Sequence, residues 1–161
     1  LAEWTAAQRS AEPGFLPDDG DEGPAAGGGG GDFRDWLPEP QEHGVQRDRP
    51  LTVYTWGKAL RKAPPKDSQC NFNAGILNGR GGGADLRTMN GKSEEVQRNV
   101  ASCGLFPRWL EMVLSKIEKS TPPLHTISIN CTKGRHRSVA AAEILSKYYY
   151  PNASVIHLTI S

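Results

Sequence analysis

Leu124–Tyr149 reads LHTISINCTKGRHRSVAAAEILSKYY, and the fold follows from how this stretch divides. Leu124–Asn130 is rich in β-branched residues and reads as a strand. Cys131–Arg137 is polar and carries Gly134, so it reads as a loop. Ser138–Tyr149 is an Ala-rich helix that Pro151 stops. Ser154–Ile160 (SVIHLTI) reads as a further strand. Strand, loop, helix and strand make a βαβ unit with parallel strands. Its loop lies at the carboxyl end of a strand and opens a helix, where open α/β sheets bind ligands.

Outward from this unit, Leu51–Trp56 (LTVYTW) is a first strand and Asn71–Leu77 a weaker second one. Asn78–Gly83 is a Gly-rich loop. Ser93 is placed to N-cap a helix ending near Ser102, with Glu94 and Glu95 in its first turn. Phe106–Lys119 is a longer helix whose Phe106, Leu110, Val113, Leu114 and Ile117 form one apolar stripe. The expected fold is α/β: a small, mostly parallel sheet over residues 50–161, with a strand–loop–helix anion-binding site. Residues 1–49 form an extended low-complexity arm ahead of it.

Charge divides the chain in the same place. Residues 1–48 hold eleven acids against Arg9, Arg34 and Arg47, a net −8; residues 49–161 hold sixteen Lys/Arg against seven acids, a net +9. A basic compact domain points to a phosphate-rich partner. The arm contains five consecutive glycines, Gly27–Gly31, and cannot bury enough apolar surface to offset its own ordering entropy. Its scattered Trp4, Phe15, Leu16, Phe33, Trp36 and Leu37 are expected to anchor on a surface outside this chain. No run of about 18 apolar residues occurs, so no membrane partner is expected. Three cysteines without regular spacing argue against a disulfide framework, and no Cys/His pair has zinc spacing. No metal or cofactor is called for.

The chemistry concentrates in Cys131–Ser138. A helix N-terminus presents unpaired N–H groups and partial positive charge. Gly134 allows close backbone approach, and Thr132, Lys133, Arg135, His136, Arg137 and Ser138 add charge and donors. The stretch also satisfies C-x5-R-S, the signature of cysteine-dependent phosphatases. On that alternative Cys131 is the nucleophile, Arg137 the phosphate clamp, Ser138 the leaving-group aid and Asp85 the acid.

A more extended likeness follows from residues in order along the chain. CTKGRHRSVAAAEIL, together with Leu86–Gly91 (LRTMNG), the opening strand at Leu51–Val53 and the Trp109-Leu110 helix, resembles the RapZ C-terminal domain family over about residues 51–150. The resemblance implies binding rather than turnover, with small regulatory RNAs and an amino-sugar phosphate as ligands. Lys133 stands where the family has a glycine, and Asn73 and Gly75 stand where it has Asp and Arg. These departures argue against sugar-phosphate sensing, one further alternative along with nucleotide sensing.

The expected function is a non-catalytic RNA-binding subunit of a large ribonucleoprotein, a mitochondrial ribosome or its assembly intermediate. Its partners are then ribosomal RNA and the assembly proteins that hold residues 1–49. RNA phosphates would meet the 132–138 loop with Arg87, Lys92, Arg61 and Lys62. Cys70 and Cys103 read as small buried hydrophobes and His125 and His157 as structural residues, while Tyr148–Tyr150 reads either as stacking partners for bases or, at least as well, as a helix end packed on the sheet.

Overall fold

The computed structural model describes residues 33–77 and 88–160. Four strands, β1 (Thr52–Gly57), β2 (Cys70–Asn73), β3 (Thr126–Cys131) and β4 (Ser154–His157), form one sheet in the order β2-β3-β1-β4. Every pairing is parallel, so the expectation of a mostly parallel α/β sheet holds and sharpens. The described residues hold three α-helices, α1 (Glu94–Ala101), α2 (Phe106–Lys119) and α3 (Arg137–Tyr148), and two short 3-10 helices, Phe33–Trp36 and Pro40–His43, in the segment expected to be extended.

All three helices feed one core. Val53, Cys70, Phe72, Ile127 and Ile129 face it from the sheet. Val96 and Val100 of α1, the predicted stripe of α2 and Ala140–Leu145 of α3 complete it. Strand side chains alternate between faces, so the residues between these point the other way. That second face is buried but polar. Trp56 Nε1 donates to Asn71 Oδ1 at 2.9 Å, Asn71 Nδ2 to Asn130 Oδ1 at 2.6 Å, and Ser128 Oγ to Asn71 Oδ1 at 2.8 Å. The β1–β2 connection covers this face, bonding Ser68 Oγ to Ser128 Oγ and Asp67 to the Tyr54 hydroxyl. Buried amides are tolerated here because each finds a partner.

Several boundaries differ from the sequence reading. The second strand stops at Asn73 rather than Leu77, because the Asn73 side chain accepts the Gly75 N–H and folds the chain into a turn. The last strand stops at His157, opposite Thr55, while β1 runs on to Gly57 beside β3. Ser93 sits at the N-cap of α1 with extended backbone, yet its hydroxyl bonds Met89 Sδ rather than a helix N–H. Cys70 and Cys103 are buried, and burial pushes the Cys70 thiol up to about 11. Tyr149 and Tyr150 are buried in the core and Tyr148 is half-buried against it, which favours packing over base stacking.

Phe33, Trp36 and Leu37 correct a prediction. They do not await an outside surface; Phe33 is 1% exposed in the chain's own core, and Trp36 and Leu37 pack against it. The Tyr148 ring meets Phe33 edge-on at 5.8 Å, and Arg98 lies 5.9 Å from the Phe33 centroid and 6.0 Å from that of Trp36. Further along, the Tyr149 hydroxyl donates to the Pro38 carbonyl and Arg47 to the Tyr148 carbonyl, both at 2.6 Å. The other expected anchors, Trp4, Phe15 and Leu16, lie outside the described residues.

Glu118 closes this packing. Its carboxylate accepts Arg49 from two nitrogens, the Gln46 N–H and the Tyr150 hydroxyl. Burial opposes its ionisation, but these donors outweigh burial and hold its pKa below the usual carboxylate range. A depressed carboxylate contributes stability above its unfolded pKa and loses it as pH falls through the lower folded one. Glu118→Ala is expected to cost about 3 kcal/mol at pH 7 by stranding Arg49 and Tyr150. Denaturant melts check this: the deficit should shrink as pH falls below about 4, and a pH-independent deficit would contradict the brace.

Candidate anion-binding site

The strands all end at one edge, at Gly57, Asn73, Cys131 and His157, and the loop from Cys131 to Ser138 lies there. Each neighbouring segment fastens it. On the β1 side, Lys58 N–H donates to the Cys131 carbonyl at 3.0 Å and Ala59 N–H to the Thr132 carbonyl at 2.8 Å. Gly57 has no room for a side chain there: a Cβ would strike the Lys133 carbonyl and the Gly134 nitrogen. Gly134 adopts φ +71°, a conformation that glycine takes without cost. Past β4, the Thr159 hydroxyl donates to the Lys133 carbonyl at 3.3 Å.

On the far side the loop's cations do the fastening. Arg137 donates through Nη1 to the Gly75 carbonyl at 2.6 Å and the Leu77 carbonyl at 3.3 Å, and through Nη2 to Thr132 Oγ1 at 3.2 Å. Arg135 Nε lies 3.2 Å and His136 Nε2 2.9 Å from the Met89 carbonyl. Gly91 N–H returns a bond to the Arg135 carbonyl at 2.8 Å, and a Cβ on Gly91 would collide with the first turn of α3.

Within the loop, the Cys131 sulfur is the focus. Ser138 Oγ lies 3.3 Å away, and the N–H groups of Gly134 and Ser138 point at it. Burial resists ionisation of this thiol, but those donors and the Arg137 charge prevail and lower its pKa. The residue is only 2% exposed. The geometry therefore stabilises negative charge at the loop centre while leaving little access to the sulfur itself. Thr132 and Lys133 are exposed, and Arg135, His136 and Arg137 half-buried.

The sequence-derived residues separate accordingly. Thr132 through Ser138 lie together in the loop, and there Arg135, His136 and Arg137 are struts to backbone carbonyls. Arg61 and Lys62 lie exposed on the connection that touches the loop. Lys92 sits beyond Gly91, where its charge acts on Glu143. Arg87 and Asp85 lie outside the described residues. Sequence reasoning missed Lys58, which follows directly on the loop contact at Gly57, and the carbonyls of Gly75, Leu77 and Met89. A backbone acceptor has no residue type to betray it. Among the described residues no group of three or more His, Cys, Asp and Glu could hold a metal ion, and no helix is long and apolar enough to cross a membrane.

A family profile for the RapZ C-terminal domain matches residues 51–160. The chain belongs to that family. Curated relatives carry the name nucleotide-binding protein. One from Paramagnetospirillum magneticum is 27% identical over 122 residues, which is 71% of this chain and 40% of the relative. One from Gluconacetobacter diazotrophicus is 32% identical over 104 residues, 60% of this chain and 29% of the relative. A third, from Actinobacillus pleuropneumoniae, is 32% identical over 109 residues, 63% and 38% respectively. The chain thus spans less than half the length of these relatives.

These findings overturn the expectation of a mitochondrial ribosomal subunit. The relatives are bacterial proteins named for nucleotide binding, not ribosomal ones, so the ribonucleoprotein, its ribosomal RNA and assembly partners and the mitochondrial location are withdrawn. For the described part of the arm the structural premise fails as well, because Phe33, Trp36 and Leu37 find their holder within the chain.

The Cys131 thiolate gives a direct check on the cradle. Ultraviolet titration of the thiolate should show ionisation below the ordinary thiol pKa of about 8.5, and Ser138→Ala should move the midpoint upward. An unchanged midpoint in that variant would mean the Ser138 hydroxyl does not serve the sulfur.

Proposed function

We propose that this domain binds a small phosphate ester, a nucleotide or a molecule of similar size, with the phosphoryl group seated over the Cys131–Ser138 loop, and that it holds the ligand without turning it over. The observation that carries this reading is the convergence of the Gly134 and Ser138 N–H groups and the Ser138 hydroxyl on one point at the start of α3. A helix N-terminus of this kind favours a phosphoryl group through both its donors and its dipole. Lys133 is the exposed cation best placed to add charge from solvent.

Holding rather than hydrolysis is supported by the same geometry. Arg137 is committed to the carbonyls of Gly75 and Leu77, and Cys131 is almost fully buried. A nucleophile needs an open line to phosphorus, and this sulfur has instead become the floor of the cradle. The name of the bacterial relatives agrees with a nucleotide ligand, though it belongs to proteins more than twice as long as the matched region.

Titration calorimetry at low salt with adenosine monophosphate and with inorganic phosphate tests the reading. Binding is expected in the millimolar range or tighter, about tenfold weaker in Lys133→Ala and lost in Gly134→Ala. Release of inorganic phosphate from the monophosphate should stay at the uncatalysed level. Absence of binding by either ligand, or turnover abolished by Cys131→Ser, would overturn the proposal.

A further inference from the structure

β4 is an edge strand, and its outer side is bare. Ser154 N–H donates to the Leu51 carbonyl at 2.8 Å and Leu158 N–H to the Thr55 carbonyl at 2.9 Å. Backbone groups alternate between the two sides of a strand, so Val155 and His157 turn their N–H and C=O groups away from β1. Among the described residues no hydrogen bond reaches these outward groups. The opposite edge of the sheet is closed: Cys70, Asn71 and Phe72 of β2 are buried, and Trp109 Nε1 of α2 donates to the Asn73 carbonyl at 2.9 Å. Natural edges are blunted by Lys or Pro, and residues 154–160 contain neither. Val155 packs on the core, so Ile156 and Leu158 point to the other face, where they are 41% and 38% exposed.

A strand laid antiparallel on this edge exchanges main-chain bonds at Val155 and again at His157. A second copy of β4 satisfies both places at once. Val155 of each copy faces His157 of the other, and the pairing closes on a twofold axis at Ile156. The two Ile156 side chains then meet as a directly opposed pair, with Cα atoms about 4.5 Å apart, and Leu158 lies opposite Ser154. The His157 ring is turned inward, with Nε2 2.9 Å from Glu143 and Nδ1 2.7 Å from Thr55 Oγ1. Charge favours the antiparallel sense. At the amino end of β4, Asn152 Nδ2 donates to the Asp48 carbonyl at 3.3 Å, and Asp48 is exposed. Its neighbours Arg47 and Arg49 are held by the Tyr148 carbonyl and Glu118. Past the carboxyl end, the Thr159 hydroxyl donates to the Lys133 carbonyl, and Lys133 is exposed. Antiparallel pairing brings the acid of one copy to the lysine of the other at both ends, whereas parallel pairing sets like against like.

We infer that β4 is a dimerisation edge, on which two copies of this chain join β4 to β4 in antiparallel register about Ile156. The four strands of each copy become one continuous sheet. Because the pairing is antiparallel, the two Cys131–Ser138 loops lie at opposite edges of that sheet, and neither is covered by the other copy. The dimerisation does not depend on what the loop binds.

Sedimentation of the full chain from about 1 µM to 1 mM, a span that covers weak affinities, tests the pairing. The mass should double with rising concentration. Ile156→Lys, at an exposed position, should leave the thermal melt of the dilute protein unchanged and abolish the doubling. Val155→Pro removes an outward N–H that β1 does not use, and it should do the same. Asp48→Lys and Lys133→Glu should each weaken association about tenfold, and the two together should restore it. Amide exchange reads the register directly. Val155 and His157 should exchange fast in dilute protein and slowly in concentrated protein, while Ser154 and Leu158, already bonded to β1, stay slow in both. A chain that stays monomeric across the range would overturn the inference. So would a dimer that survives both edge variants, or one that protects neither Val155 nor His157.

Discussion

Everything at the carboxyl edge of the sheet depends on one constraint: the loop after β3 is clamped from four directions by its neighbours. Arg137 grips the chain leaving β2, Arg135 and His136 grip the chain ahead of α1, the amides after Gly57 grip it from β1, and Thr159 from beyond β4. Each clamp uses groups that would otherwise be unsatisfied near the buried end of a sheet, where an unpaired donor or acceptor is costly. The result is a fixed set of donors, the Gly134 and Ser138 N–H groups and the Ser138 hydroxyl, around Cys131. Preorganisation matters because a ligand that finds its donors fixed meets no ordering penalty for them on binding.

The cations of the motif therefore have two roles whose balance the sheet decides. Arg135, His136 and Arg137 set the electrostatic field of the site, and their hydrogen bonds hold the site's shape. A guanidinium has five N–H donors, so Arg137 can serve two carbonyls and Thr132 and still carry its charge into the cradle. The polar second face of the sheet extends the same logic. Asn71, Asn130 and Asn73 form a ladder of side-chain amides that ends at the turn holding Gly75, the residue whose carbonyl Arg137 grips. Asn73 turns the chain, and the turned chain offers the Gly75 carbonyl to Arg137.

Residues 33–49 show how an apparently structureless sequence joins a core. Phe33 fills a gap at the ends of α1 and α3, and Glu118 pulls Arg49 and Gln46 onto α2.

The sequence by itself determined the elements and the loop. The α2 stripe, the Ala-rich α3 and the β-branched strands were legible because periodicity and propensity act over a few neighbouring residues. The motif Cys131–Ser138 was legible because charge, Gly134 and a helix start fall within eight positions, and the RapZ likeness followed from motifs in order along the chain. Only the tertiary structure decided where each strand stops, what Phe33 packs against and what the motif's cations hold. Those outcomes rest on contacts between residues far apart in the chain, such as Arg137 with Gly75 and Glu118 with Arg49. Their acceptors are often backbone carbonyls, which every residue carries alike, so no pattern of side chains could have announced them.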